Sequence, residues 1–169
     1  EIGATLHCWK HEGHGLQTYL EVIQNSCNPG FVSLGLKLGK ERLMKYIRNF
    51  GFGEKTGIDL NGEGKGILFR EEKMGDVELA TTAFGQGISV TPIQQVKAVS
   101  AAINGGSLYT PYIVKGVEDS VSHNFVYEKT KHLERKVISE ETSKLVRYDL
   151  ETVVAYGTGH NAYLEGYKI

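Results

Sequence analysis

A serine and an asparagine stand two positions apart, at Ser26 and Asn28, with Cys27 between them and Pro29 directly after. A serine hydroxyl can relay a proton between the groups that it hydrogen-bonds, and an asparagine amide can hold the amide of a peptide. The pair therefore carries the groups needed for proton transfer beside a bound amide. Because such a triplet is common, its context decides whether it is catalytic or only marks the end of one helix and the start of another.

Two helices are predicted to hold these side chains. Apolar residues at helical spacing predict one helix over residues 16–24 and a second over residues 29–38. Asparagine is a favoured N-cap and proline suits the first helical position, so we expect Asn28 to cap the second helix. A capped junction would fix the direction of both polar side chains.

The rest of the chain mixes helical, glycine-rich and strand-like patterns. Thr91 is expected to cap a helix that stops at Gly105, and Ser139 is expected to cap another that ends at Gly157. Residues 51–75 are rich in glycine and charge and are predicted to form a long loop. The other predicted helices cover residues 40–50 and 79–84. Strands are predicted within residues 1–13 and over residues 57–60, 109–117, 125–137 and 167–169. Of these, residues 109–117 and 125–137 are predicted to form a hairpin.

Composition limits the class of protein. The 169 residues are 40% hydrophobic and 23% charged, with a net charge of −1, which is ordinary for one globular domain or subdomain. We expect no nucleic-acid partner because there is no basic field. The chain begins with Glu1 and shows no signal peptide, and no apolar run approaches the roughly 20 residues that span a bilayer.

Two further segments give the triplet a context. Residues 51–60 (GFGEKTGIDL) and 84–94 (FGQGISVTPIQ), together with residues 25–31 (NSCNPGF), resemble the transpeptidase domain of class B penicillin-binding proteins. The resemblance covers essentially the whole chain. It implies an α+β fold of the β-lactamase/transpeptidase type, of which this chain would hold most of the helical lobe and part of the sheet lobe. It also implies catalytic roles for Ser26, as a proton relay, and Asn28, as a hydrogen-bond donor to the substrate.

The same resemblance shows which motifs are missing. The family works with Ser-x-x-Lys, Ser-x-Asn and Lys-Thr-Gly, and no serine here is followed three residues later by lysine. The final motif should follow a strand that opens like residues 166–169. We therefore expect residues 1–169 to be a fragment of one transpeptidase domain, inactive by itself. Residues 55–57 spell Lys-Thr-Gly, but they lie in a glycine-rich loop soon after Asn28, and we expect that loop to be structural.

The resemblance implies an activity for the intact enzyme. It would be a serine-type D,D-transpeptidase on the extracytoplasmic face of the bacterial membrane, cross-linking peptidoglycan stem peptides in cell-wall or spore-cortex synthesis. Its partners would be D-Ala-D-Ala stem peptides and β-lactams, and no metal or organic cofactor is implied. Thr158 and Gly159 resemble the loop before the third motif and are expected to line the substrate cleft. The alternative is a non-catalytic redox-responsive or protein-interaction module on the same fold.

Cys8 and Cys27 flank the first predicted helix, so a chain reversal could bring them together. In an extracytoplasmic enzyme a redox-active disulfide between them is reasonable, with a thiol–disulfide oxidoreductase as partner, and the alternative is two unpaired thiols. His7, His11 and His14 stand near Cys8 and are zinc-ligand types. Their spacing matches no pair-plus-pair zinc pattern, so we predict no metal site in this loop.

Overall fold

The computed structural model of the chain describes residues 5–169, and within them six helices and four short strands form a mixed architecture. The α+β prediction is confirmed. Two further single 3₁₀ turns lie at Glu71–Lys73 and His160–Ala162. The helices are α1 Tyr19–Gln24, α2 Asn28–Leu38, α3 Lys40–Asn49, α4 Asp76–Ala83, α5 Pro92–Ile103 and α6 Glu140–Tyr156, and the strands are β1 Ser107–Tyr109, β2 Gly116–Glu118, β3 Phe125–Glu128 and β4 Leu133–Lys136.

Helices α3 and α4 and the segment over residues 68–74 enclose one hydrophobic cluster. Met44, Met74 and Leu79 are buried at its centre, with partly buried apolar side chains packed around them. The backbones of α2 and α4 approach closely, because a Cβ added at Gly35 would lie 2.3 Å from the Cβ of Ala83. Glycine at this position therefore sets the spacing of the two helices.

The predicted β-hairpin is confirmed, although it is divided into two short antiparallel ladders. Strand β1 pairs with β4, and β2 pairs with β3 farther out along the same hairpin. Pro111 lies between β1 and β2 and has no N–H to donate, which explains why the ladder does not continue through this point. The base of the hairpin is anchored by Leu108, which is fully buried, and β1 contacts α5.

Buried polar groups fasten the glycine-rich loop to α5. The predicted capping box is confirmed, since Gln94 N donates to Thr91 Oγ1 and Thr91 N donates to Gln94 Oε1. The same glutamine is buried, and its Nε2 donates to the carbonyls of Glu54 (2.6 Å) and Lys65 (3.0 Å). One side chain therefore holds both the helix start and the loop.

A second polar anchor joins α5 to the hairpin. The Lys97 ammonium is buried and donates to the Glu134 carboxylate at 2.5 Å and to the Thr56 carbonyl at 3.3 Å. Hydroxyl Oγ1 of Thr110 donates to the same carboxylate. Desolvation acts to raise the pKa of Glu134, but the hydrogen bonds from Lys97 and Thr110 outweigh it and hold that pKa below its ordinary value.

Three strand predictions differ from the structure. Residues 57–60 are irregular, with a bend at residues 59–60, and the Asp59 carboxylate accepts hydrogen bonds from the backbone of Ile113 and Val114. Residues 167–169 are predicted to be a strand, but no strand in the described part of the chain pairs with them. The strand expected within residues 1–13 does not form over residues 5–13, and residues 1–4 lie outside the described range. None of the helices in residues 5–169 is both long and apolar enough to cross a membrane.

Candidate functional site

Ser26 lies where α1 ends, in a backbone arrangement that normally takes glycine. The helix stops at Asn25, after which the Ser26 amide donates to Ile23 O and the Cys27 amide donates to Val22 O, both at 3.1 Å. This pair of bonds is the Schellman motif, whose central residue adopts a left-handed conformation. Ser26 accordingly has φ = 47°.

The left-handed backbone is unfavourable for serine. An L-residue with a side chain loses about 1–2 kcal/mol there, which is why glycine predominates at this position. The Ser26 side chain is exposed, and its hydroxyl makes no hydrogen bond within residues 5–169. A strained residue whose hydroxyl is free for other partners suggests a role beyond ending the helix.

The sequence prediction for Asn28 is wrong in one respect. Asn28 is the first residue of α2, and the N-cap is Cys27, which makes no side-chain capping bond. The Asn28 amide is instead turned away from its own helix, with Nδ2 donating to the carbonyl of His7 at 3.1 Å. Because that NH₂ group has two N–H donors, one remains for another partner.

The loop that contains Thr158 and Gly159 lies against the end of α1. The Thr158 amide and hydroxyl both donate to the carbonyl of Gln24, at 2.9 and 3.3 Å. A Cβ added at Gly157 would lie 2.2 Å from that same oxygen, so only glycine permits this approach. The 157–159 loop thus contacts the chain at Gln24, two residues before Ser26. That these residues touch a substrate stays a prediction.

The two cysteines lie side by side, as the sequence suggested they could. The Cys8 and Cys27 sulfurs lie within 4.8 Å of each other as free thiols. Desolvation raises the pKa of the buried Cys27 thiol, and the neighbouring Cys8 adds to the effect. Partial desolvation also acts to raise the pKa of Cys8, but hydrogen bonds from the backbone of Lys10 and Asn28 outweigh it, so the pKa of Cys8 is lowered. Formation of a disulfide stays a prediction.

Sequence reasoning placed His14 in the same loop as Cys8 but missed that both lie beside Cys27. Its Nδ1 lies 3.4 Å from the Cys8 sulfur, and its ring meets that of Trp9 edge to face at 5.3 Å between centroids. Trp9 in turn donates its indole N–H to the Asn25 carbonyl at 2.8 Å, next to Ser26. The Trp9–Asn25 contact joins positions 16 apart in the sequence, so no local pattern could have indicated it.

Residues 55–57 form a structural loop, in agreement with the expectation from sequence. The backbone N–H and hydroxyl of Thr56 donate to the Glu63 carboxylate at 2.5 Å, and Gly57 N donates to it at 3.2 Å. Thr56 is buried, whereas Lys55 points to solvent. The arrangement uses the threonine to fold the loop and leaves the Lys55 side chain exposed, outside the Glu63 contacts.

The geometry offers one hydroxyl and one amide at a rigid helix junction. Three separate contacts hold the junction: Trp9 on Asn25, the 157–159 loop on Gln24, and Asn28 on His7. The pair can relay a proton and hold an amide, but it supplies no activated nucleophile, since serine needs an adjacent base.

Comparison with known proteins gives one consistent result. The family profile described as penicillin binding protein transpeptidase domain matches residues 2–169. Stage V sporulation protein D of Bacillus subtilis (strain 168) is 68% identical over 99% of this chain and 26% of its own length. The peptidoglycan D,D-transpeptidase FtsI homolog of Mesostigma viride is 32% identical over 88% of this chain and 27% of its length.

A solved structure is also similar. The crystal structure of penicillin binding protein 3 from Mycobacterium tuberculosis complexed with aztreonam has a TM-score of 0.86 and 29% identity, covering 98% of this chain and 38% of that one. The chain spans about a quarter of the length of the two curated relatives described above.

Proposed function

The chain belongs to the family of penicillin-binding protein transpeptidase domains, and from this we propose that it is part of a peptidoglycan D,D-transpeptidase. The observation that carries the proposal is Ser26, a strained serine with a free hydroxyl held two positions from Asn28. The names of the two curated relatives, a sporulation protein and a peptidoglycan D,D-transpeptidase homolog, support a role in peptidoglycan synthesis of the cell wall or the spore cortex. The proposed site of action is the extracytoplasmic side of the membrane.

The reaction divides between this chain and segments that it does not contain. In the family chemistry the serine of Ser-x-x-Lys attacks the D-Ala-D-Ala carbonyl, terminal D-alanine leaves, and an amine of a second stem peptide takes the acyl group. Ser26 would pass a proton toward the leaving amine. Asn28 would hold the amide of the acyl donor with the N–H that the His7 carbonyl leaves free.

The test is a chimera in which this chain replaces the matching segment of stage V sporulation protein D from B. subtilis. At 68% identity the chain should fit the host, which supplies the remaining motifs. We expect a fluorescent penicillin to label the chimera, and the 169-residue chain alone to stay unlabelled because it has no Ser-x-x-Lys serine.

Two results would contradict the proposal. A folded chimera that is not labelled would favour a non-catalytic module. Stoichiometric labelling of the chain alone would show that its nucleophile has been overlooked.

We further propose that Cys8 and Cys27 form a regulatory disulfide. Oxidation by a disulfide such as oxidised glutathione would remove two protons and two electrons from the thiols, and a thiol–disulfide oxidoreductase would return them. The support is the approach of the two sulfurs within 4.8 Å. Because the bonded sulfurs must come to about 2.05 Å, oxidation would move Cys27 and with it the neighbouring Ser26 and Asn28.

In the chimera we expect oxidant to reduce acylation and Cys8→Ser to abolish that sensitivity. Host cysteines are controlled for by a chimera carrying both Cys8→Ser and Cys27→Ser, whose remaining oxidant sensitivity comes from the host segments. Oxidant sensitivity that persists unchanged in Cys8→Ser would remove this pair as the switch.

A further inference from the structure

Three side chains of metal-ligand type converge beside the Ser26–Asn28 junction. The sulfurs of Cys8 and Cys27 and Nδ1 of His14 all lie within 4.8 Å of one another, and Cys8 Sγ is 3.4 Å from His14 Nδ1. Two thiols and an imidazole form a soft donor set, which suits zinc and excludes calcium and magnesium as natural occupants. The site differs from the catalytic pair, since neither Ser26 nor Asn28 is one of the three.

The spacing suits tetrahedral zinc. With Zn–S near 2.3 Å and Zn–N near 2.0–2.1 Å, neighbouring ligand atoms stand about 3.5 Å (S to N) to about 3.8 Å (S to S) apart. The Cys8–His14 pair already has this separation. The other two pairs lie within 4.8 Å and need to close by no more than about 1.0 Å (S to S) and about 1.3 Å (S to N), movements within reach of side-chain rotation.

The backbone prepares the ligands before any ion binds. A turn closed by the Gly13 amide on the Lys10 carbonyl (2.9 Å) reverses the chain between Cys8 and His14, with Gly13 at φ = 75°. Trp9 fixes the same loop to Asn25, and its ring lies against His14. Cys27 is buried, whereas Cys8 and His14 are partly exposed, so an ion could enter from solvent and keep a water as fourth ligand.

We propose that Cys8, His14 and Cys27 form a zinc site with one open position. Binding replaces the two thiol protons with one Zn²⁺ and leaves His14 neutral, so no electron is transferred. This revises the sequence prediction of no metal, which considered the histidine loop without Cys27. Because each sulfur is either metal-bound or disulfide-bonded, zinc and the disulfide are alternative states. Zinc bound to Cys27 would also fix the position of this residue, which lies between Ser26 and Asn28.

The test uses the untagged 169-residue chain, reduced with a phosphine under nitrogen. Zn²⁺ is titrated against a chromogenic chelator, and Co²⁺ serves as the spectroscopic probe. We expect one ion per chain and a thiolate-to-cobalt charge-transfer band. Loss of an outer partner of a metal ligand already costs roughly 10- to 100-fold in affinity, so Cys8→Ser, Cys27→Ser and His14→Gln should each cost at least about 100-fold.

His11→Gln is the matched control, because His11 is an exposed histidine of the same loop that lies outside the cluster. It should bind zinc like the unsubstituted chain. Should a ligand variant fail to fold by circular dichroism, protection of both thiols from alkylation by Zn²⁺ in the unsubstituted chain decides the question. Less than half an ion bound per chain, a cobalt spectrum without thiolate bands, or equal losses for His11→Gln and His14→Gln would overturn the site. None of these outcomes would bear on the transpeptidase proposal.

Discussion

At the scale of single residues, Ser26 combines two features that rarely occur together. It occupies the left-handed position of a Schellman motif, with φ = 47°, and it carries an exposed hydroxyl. If ending α1 were its only task, glycine would do so at lower conformational cost. A serine at this position is expected when the hydroxyl has a function, because functional sites commonly keep locally unfavourable residues.

Ser26→Gly should therefore stabilise the chain while removing the hydroxyl. Relief of the left-handed strain contributes about 1–2 kcal/mol, and the greater freedom of glycine in the unfolded chain takes back about 0.4–1 kcal/mol. We expect a net rise of roughly 0.5–1 kcal/mol in the free energy of unfolding, measured by urea denaturation with an unchanged slope.

The control for this prediction is Ser33→Gly, on the exposed face of α2. Glycine within a helix is unfavourable by roughly 0.5–1 kcal/mol, so the two substitutions should have opposite signs. If both lowered the free energy of unfolding, the strain at Ser26 would not be real.

At the scale of elements, the 157–159 loop and α1 are held together by one carbonyl. Gln24 O accepts both bonds from Thr158 and leaves no room for a side chain at Gly157. Since φ at Gly157 is −120°, alanine could adopt its backbone, and the obstacle is steric alone. The end of α6 therefore sets the position of the end of α1 and, through it, of Ser26.

Gly157→Ala should displace the loop and weaken the site. Forcing a methyl into a filled position costs about 1–3 kcal/mol, and acylation in the chimera should fall together with stability. Gly64→Ala is the matched control, because its added Cβ would lie at an ordinary 3.7 Å from Thr91. Equal effects of the two substitutions on stability and on acylation would show that the Gln24 contact does not position the site.

The Lys97–Glu134 pair makes stability depend on pH in a definite direction. The folded pKa of Glu134 is below that of the unfolded chain, so its contribution is present above the ordinary glutamate pKa of about 4.3 and is lost as pH falls through the folded pKa. Glu134→Gln would leave the buried Lys97 charge without its partner, at a cost of roughly 3 kcal/mol at neutral pH.

The two unfolding curves should converge as the solution is acidified. Denaturant unfolding at several pH values tests this, with Glu165→Gln, at an exposed turn, as the control. A deficit in Glu134→Gln that stays constant from neutral to acidic pH would contradict the pairing.

At the scale of the whole molecule, local signals were readable, whereas of the long-range contacts at the site only the approach of Cys8 and Cys27 was anticipated. The caps at Thr91 and Ser139 set their helices within a few residues of sequence, so α5 and α6 were predicted closely. The start of α1 was missed because the Thr18 cap with Glu21 lies inside the apolar pattern that predicted the helix from residue 16. The meeting of His14 with Cys27 depends on tertiary contacts, and no spacing along the chain reports it.

The surface of α5 and α6 carries an apolar face against which the rest of the proposed transpeptidase would pack. Apolar side chains of α5 and α6, among them Val99, Ile103 and Leu150, line one open groove and are substantially exposed. Exposed apolar patches of this kind mark packing or interaction surfaces. In the chimera we expect host segments to cover them, which makes the chimera the proper setting for measurements of activity.

The rate of acylation of the chimera by a fluorescent penicillin tests the central claim, that Ser26 and Asn28 serve the transpeptidase reaction. General acid–base groups contribute about 100- to 10,000-fold, so Ser26→Ala and Asn28→Ala should each slow acylation by at least about 100-fold, while Ser33→Ala and Lys55→Ala should stay within about threefold. Alanine, like serine, has a Cβ and so keeps the unfavourable left-handed backbone at residue 26, and the comparison therefore isolates the hydroxyl. Rates within about threefold for both Ser26→Ala and Asn28→Ala, or a loss in Lys55→Ala as large as that in Ser26→Ala, would contradict the assignment.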